Sequence, residues 1–193
     1  MGENLANTKR MKGLICRAMR QLICEKPFSK ITVQDVLNCA DIQRATFYRY
    51  FHDKYEVVET INRELSERIV VFHFAVFHDN LSDQIPVFSQ FLTEHYQVLI
   101  QLIDLRVENI DLLRDIRAKY EEIYHAHYPE ADDFEAFTGA EQFLTTFLWN
   151  VWHEISFDQM HKMRLADTKL RIIAHQYKVP FEDLKAFLAQ YEQ

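Results

Sequence analysis

Residues 31–58 read ITVQDVLNCADIQRATFYRYFHDKYEVV, and this stretch decides the fold of the first part of the chain. Thr32 with Asp35 three residues later is an acidic variant of a capping box, which predicts that a short helix begins after Thr32. Asp41 is predicted to adopt the left-handed conformation of a tight turn, although glycine adopts it more easily. A second short helix is predicted over residues 43–51.

Longer helices flank this pair. Apolar residues at three-and-four spacing predict an amphipathic helix over residues 8–25, which Pro27 ends. Asp53 is predicted to cap a long helix that begins at Lys54 and continues through Val76. Two short helices separated by a turn, with a longer one before them, form a helix-turn-helix unit. The second helix of such a unit enters a DNA major groove with its N-terminal residues foremost.

The second short helix has a face suited to bases. Phe47 and Phe51, one turn apart, are expected to pack on the core. Residues expected to point away from the core, at roughly 100° per residue, are Ala45, Thr46 and Arg49, with Gln43 and Arg44 at the tip. Arginine suits a bidentate contact with guanine and glutamine one with adenine, so the tip has the chemistry of a base reader.

Charge divides the chain in two. Residues 1–55 hold ten lysines and arginines against five acids, whereas the remainder holds twelve against twenty-four, within a net charge of -7. A basic head on an acidic body is expected where one part approaches phosphates. The alternative is a chance fluctuation in surface charge.

The whole chain is predicted to be all-α. Only three glycines and four prolines serve 193 residues, too few for the turns of a β-sandwich or a phosphate-binding loop. Further helices are predicted, in order, over residues 84–103, 108–127, 133–157, 160–177 and 181–191. The expectation is a three-helix head at 1–54 and a helical bundle at 55–193, about nine helices in total.

Cysteine usage and hydropathy limit the class of protein. Three cysteines, no apolar leader at the start and no apolar run of membrane-spanning length favour a cytoplasmic protein that neither is secreted nor spans a membrane.

The stretch quoted above resembles the DNA-binding signature of the TetR family of bacterial transcriptional regulators, especially in TFYRYF at 46–51 followed by Asp53 and Lys54. The resemblance covers about 50 residues. It implies a homodimer with two heads on a palindromic operator, and a C-terminal domain that dimerises and binds a small-molecule effector. Asp41 departs from the glycine common at the family's turn.

The resemblance also implies roles for individual residues. Phosphate contacts fall on Thr32, Tyr48 and Lys54, and contacts with or near bases fall on Gln34, Gln43, Arg44, Thr46 and Tyr50. The alternatives are that Tyr48 caps the core of the head and that Thr32 is only a helix cap. Lys54 is unfavourable to the dipole at a helix start, so a phosphate partner explains it better than a structural role does.

The C-terminal part gives weaker signals. Its aromatic residues and a few polar groups suit a cavity for a lipophilic ligand. The candidate pocket residues are Phe74, His78, His95, Tyr96, Tyr120 and Trp149. By the resemblance, and because the segment from Phe181 onward has a clear apolar stripe, the dimer surface is expected on the helix with Trp149 and Trp152 and on the C-terminal helices.

The histidines lack the spacing of a helical metal site, and no catalytic motif occurs, so neither a metal, another cofactor nor an enzymatic activity is expected. The favoured function is a repressor released from its operator by a ligand. The alternative is a TetR-like activator or co-regulator that acts mainly through a protein partner.

Overall fold

The computed structural model describes residues 2–77, 84–105, 107 and 110–152, with the single positions 180, 182 and 186. The helices of the described part agree with the predicted all-α class. They are α1 (Gly2–Glu25), α2 (Val33–Ala40), α3 (Arg44–Tyr50), α4 (Lys54–Phe77), α5 (Gln84–Asp104), α6 (Leu112–His127) and α7 (Asp133–Trp152). A single 3-10 turn, Phe28–Lys30, joins α1 to α2.

Helices α1, α2 and α3 form a head around one core. Its buried side chains come from all three helices and from the loops between them: Ile15, Met19, Leu22, Ile23, Phe28, Ile31, Val36, Leu37, Phe47 and Phe51. Burial of a large apolar side chain contributes about 1.5–3 kcal/mol, so this core holds helices that are too short to be stable alone.

Helix α4 belongs to the head and to the body. It packs on α1 near its beginning and on α5 and α6 further along, and α6 packs on α7. Val57 and Val58 are buried in its first two turns, and Leu65, Ile69 and Phe74 are buried later. One continuous helix therefore joins the two parts. No helix among the described residues is long and apolar enough to cross a membrane.

Two predicted helix starts were wrong. Helix α1 begins at Gly2 rather than near residue 8, because its first turns are mostly polar and give no apolar periodicity. Helix α6 begins at Leu112 rather than at 108. Asp111 caps it by accepting a hydrogen bond from the Arg114 backbone, and Val107 pairs with Ile110 in an isolated antiparallel bridge before it.

The count of nine helices is not confirmed. The described part contains seven, and the helix predicted over 160–177 lies outside the described residues. The same holds for the end of the helix predicted over 133–157. In the last predicted helix, only Glu182 and Ala186 are described, and both are helical.

Two helical glycines, Gly139 in α7 and Gly13 in α1, differ in the space around them, and this difference predicts opposite effects of alanine. A Cβ on Gly139 would lie 3.0 Å from Cε1 and Oη of Tyr120, whose ring is buried and stacked on Phe143. We expect Gly139→Ala to destabilise the protein by about 1–3 kcal/mol through overpacking. Gly13 has nothing within 4 Å of such a Cβ, so Gly13→Ala should stabilise by up to about 1 kcal/mol through helix propensity. Urea unfolding of both variants measures the difference, and equal stability would contradict this packing.

Candidate nucleic-acid interface

The rotation of α3 is set by two phenylalanines. Phe47 and Phe51 are at most 1% exposed, and their ring centroids lie 6.1 Å apart. The prediction that this face packs on the core is confirmed. Because α3 has only seven residues, burying these two side chains leaves its other face to solvent.

The turn before α3 has the predicted conformation. Asp41 ends α2 with φ 51° and ψ 51°, which is left-handed, and the Ile42 N–H donates to the Leu37 carbonyl at 3.1 Å. Aspartate adopts the left-handed conformation at this position, although glycine adopts it more easily. The departure from glycine therefore leaves the turn between the two short helices intact.

The outer face of α3 carries the exposed side chains among those predicted there to contact DNA, whereas Tyr50 packs partly against the core. Gln43, Arg44 and Tyr48 are exposed, while Thr46 and Tyr50 are half-buried. The Arg44 guanidinium lies 5.9 Å from the centre of the Tyr48 ring, so the two side chains occupy the same outer surface. Tyr48 touches Phe47 edge-on yet is 48% exposed. It therefore lies on the rim of the core rather than closing it.

The start of α2 is a full capping box, as predicted. The Asp35 backbone N–H donates to the Thr32 hydroxyl oxygen, and the carboxylate of Asp35 accepts from both the backbone N–H and the hydroxyl of Thr32 at 2.7 Å. Lys26 forms an ion pair with the same carboxylate at 3.0 Å. Gln34, on the exposed side of α2, donates to the Asn38 side chain at 2.9 Å. Thr32 is thus a structural cap whatever else it contacts.

The capping box generates a pH prediction. The hydrogen bonds from Thr32, backbone first, and the contact with Lys26 lower the pKa of Asp35 from 3.8 to about 2. A depressed carboxyl pKa stabilises the fold above the unfolded pKa, and that stabilisation is lost as the pH falls towards the folded pKa. We expect Asp35→Asn to lower the free energy of unfolding at neutral pH, with a gap to the wild type that closes between about pH 4 and about pH 2. Urea titrations across this range test it. A gap independent of pH would contradict the role of the charge.

Lys54 has the structural role that the sequence analysis set aside. Its ammonium donates to the carbonyls of Phe28 at 3.1 Å and Ile31 at 2.7 Å, and lies 4.5 Å from the Phe28 ring centre and 5.4 Å from that of Tyr55. Partial burial lowers the pKa of Lys54, and the nearby Asp35 charge opposes this. The first residue of α4 is therefore tied to the loop that precedes α2. The structural role that was expected to be the weaker explanation of Lys54 is therefore present, and its contact with a phosphate stays a prediction.

Asp53 caps α4 as predicted, since one carboxylate oxygen accepts from the backbone N–H groups of Tyr55 and Glu56 at 2.8 and 2.9 Å. This cap also offsets the unfavourable placement of a lysine at the helix start.

Sequence reasoning missed three contacts that join helices. The Lys12 ammonium lies 5.2 Å from the centre of the Phe51 ring. Arg20 of α1 and Glu64 of α4 form an ion pair at 2.7 Å. The side-chain amide of Asn62, a fully buried residue of α4, donates to the carboxylate of Asp115 in α6. A polar residue on the apolar face of α4 was the one signal available for Asn62.

Two predicted pocket residues meet in the body. Phe74 and Tyr120 are buried with ring centroids 5.0 Å apart, and burial raises the pKa of Tyr120 to about 12. His73, which the prediction did not include, lies 4.3 Å from Phe143 and 5.6 Å from Tyr120, centroid to centroid. These four side chains form one aromatic cluster of α4, α6 and α7.

The other predicted pocket residues are dispersed. On α5, His95 shares a hydrogen bond with the Phe91 carbonyl at 2.9 Å, and the Tyr96 hydroxyl donates to the Val151 carbonyl of α7 at 3.1 Å. Trp149 is 53% exposed, so it lies on the outside of α7 in the described part. His78 lies outside the described residues.

Among the described residues, no group of three or more His, Cys, Asp or Glu side chains is placed to hold a metal ion.

Residues 15–61 match the family model described as bacterial regulatory proteins, tetR family. This segment is a TetR-type DNA-binding domain. The match runs from Ile15 in α1 to Ile61 in α4, so it covers the three-helix head and the first turns of the long helix. The match supports a DNA-binding helix-turn-helix transcriptional regulator. Such regulators are generally not enzymes. A search of the curated proteins gives no match to the chain.

Proposed function

We propose that this protein is a homodimeric repressor that leaves a palindromic DNA operator when a small apolar or aromatic molecule binds its body. The observation that carries the proposal is the exposed tip of α3. Gln43 and Arg44 project from a helix whose rotation is fixed by Phe47 and Phe51. Both polar side chains can form bidentate contacts with base edges in the major groove.

Base contacts are assigned to Gln34 of α2 and to four side chains at α3, namely Gln43, Arg44, Thr46 and the half-buried Tyr50. Phosphate contacts are assigned to Thr32, Tyr48 and Lys54. The Lys54 ammonium has three N–H donors, two of which bond to carbonyls. A phosphate would take the third, and the two carbonyls hold the ammonium in place beforehand.

Replacement of Arg44 tests the assignment of the reading face. We expect Arg44→Ala to cost about 1–3 kcal/mol on the preferred operator and to relax the preference at one position of each half-site. Arg17→Ala is the matched control, because Arg17 is exposed on α1. Selection from a random duplex library, followed by sequencing, measures both effects. A uniform loss of affinity over all sequences would remove Arg44 from the base readers.

The route from body to head runs along α4. At 1.5 Å per residue, Lys54 and Phe74 are about 30 Å apart along this helix. Lys54 is tied to the loop before α2, and Phe74 belongs to the aromatic cluster. A ligand that displaces this end of α4 or its neighbour α6 would tilt a rigid rod and change the separation of two heads in a dimer.

The effector site is proposed among the aromatic side chains of the body. Phe74 and Tyr120 are the best supported members, because they already lie together between α4 and α6. His78, His95, Tyr96 and Trp149 remain candidates. A cluster of rings with a few polar groups suits a lipophilic or aromatic molecule.

Linkage between ligand and DNA tests this route. A tenfold loss of DNA affinity requires about 1.4 kcal/mol of coupling, and the operator must weaken ligand binding by the same factor. We expect an aromatic compound found by thermal-shift screening to bind the free protein about tenfold more tightly than the operator complex. Calorimetric titration into both forms measures this. Equal affinities would show that the ligand carries no signal.

The homodimer is supported by one face of α7. Phe134, Phe137, Trp149 and Trp152 are 47–75% exposed and share an arc of about 120° at 100° per residue. Exposed aromatic side chains on one face are typical of protein interfaces. The C-terminal helices, the other predicted part of this interface, lie largely outside the described residues.

A charge on this face is expected to separate the subunits. Trp152→Glu would place a carboxylate in an apolar contact, whereas Val87→Glu alters a valine that is 49% exposed on α5. Light scattering at micromolar concentration should give a monomer for Trp152→Glu and a dimer for Val87→Glu and the wild type. A dimeric Trp152→Glu would contradict the interface, and a monomeric wild type with operator DNA present would contradict the dimer. Capture of a different protein by the same face would favour the co-regulator instead.

A further inference from the structure

Helix α1 begins well before the domain that the family model matches. It begins at Gly2, whereas the match begins at residue 15. The extra turns carry Lys9 and Arg10, which are both exposed, and Lys12, with Glu3 as the single acid. None of these three cations is among the residues assigned to DNA above.

Two contacts show where this extension points. Lys12 lies over Phe51, just before α4 begins, and Arg20 pairs with Glu64 of α4. Moving from Lys12 to Arg20 along α1 thus corresponds to moving in the same direction along α4. The two helices therefore run in the same general direction, and from Lys12, which lies beside the C-terminal end of α3, the extension continues away from Arg20 and Glu64.

The face of α1 that packs in the core of the head becomes polar and less buried along the extension. Met19 and Ile15 are fully buried on this face, and Lys12 and Thr8 follow at three-and-four spacing but are only half-buried. The apolar stripe ends where the helix leaves the core. The ten residues before Lys12 add about 15 Å of helix, and the exposed charges of Lys9 and Arg10 on it are available to an anionic partner.

We propose that Lys9 and Arg10 bind DNA phosphates on the flank of each half-site, with Lys12 holding the extension against Phe51. This inference rests on the proposed binding of α3 in the major groove. The seven residues of α3 are about 10 Å long, close to the groove width of about 12 Å. With the tip of α3 among the bases, its C-terminal end lies near a bounding strand, and the extension lies beside that end. Two cations opposite a phosphate strand are complementary in charge.

The experiment compares two double variants that remove the same charge. Lys9→Gln with Arg10→Gln removes the cations of the extension. Arg17→Gln with Arg63→Gln is the control, because both side chains are exposed near the level of the Arg20–Glu64 ion pair. The probe is the duplex that the wild-type protein selects from a library with a random core, made with long and with short flanks. Anisotropy titrations over a range of salt give the slope of log affinity against log salt for each protein.

For the variant of the extension, we expect the slope to become shallower by about 0.9 for each phosphate that is no longer neutralised, or by about 3.6 for a dimer. The control should keep a slope nearer to that of the wild type. Shorter flanks should weaken the wild type and the control but leave the variant of the extension unchanged. Equal slopes for the two double variants, or no effect of flank length on the wild type, would overturn this inference. Neither result would contradict the proposed binding of α3 in the major groove. If the wild type selects no duplex, the proposed function itself fails.

Discussion

The burial of Phe47 and Phe51 is the interaction from which the rest of the head follows. A helix of seven residues does not hold its own orientation, so the two rings that it buries against α1 and α2 determine which side chains face outward. A slip of one residue would turn α3 by about 100° and carry Arg44 away from its outer position. The left-handed Asp41 and the capping box of α2 place the helix where both rings reach the core.

Helix α4 connects the head to the body through side-chain contacts along its length. Lys54 ties its first turn to the loop before α2, Arg20 reaches Glu64 further along, and Asn62 donates to Asp115 of α6. Within the described part, the side-chain oxygen of Asn62 is buried without a hydrogen-bond partner, which costs stability. Because the buried Asn62 is bonded to Asp115, it restricts how α4 packs on α6. A shift of α6 would have to move α4 or break the bond between Asn62 and Asp115, which suits α4 to the proposed transmission of a signal.

Local signals in the sequence predicted the head almost completely. The capping box of Thr32 and Asp35, the turn at Asp41 and the packing of Phe47 and Phe51 each depend on residues within a few positions of one another. Contacts between distant residues were not predictable in the same way. A phosphate partner was favoured over a structural role for Lys54 because nothing local shows that the carbonyls of Phe28 and Ile31 lie beside it. The start of α1 was missed because a polar helix has no apolar period. Aromatic density indicated Phe74 and Tyr120 but did not separate them from the exposed Trp149, since composition does not show which face of α7 is covered.

The central claim is that α3 lies in the major groove, once for each subunit of a dimer. Protection of guanine N7 from methylation by dimethyl sulfate tests this most directly, because that atom lines the major groove. With the duplex that the protein selects, we expect two protected patches centred about 10 base pairs or a multiple of that distance apart, and loss of guanine protection in Arg44→Ala. Protein bound to this duplex with every guanine N7 still accessible, or with a single protected patch, would contradict the account.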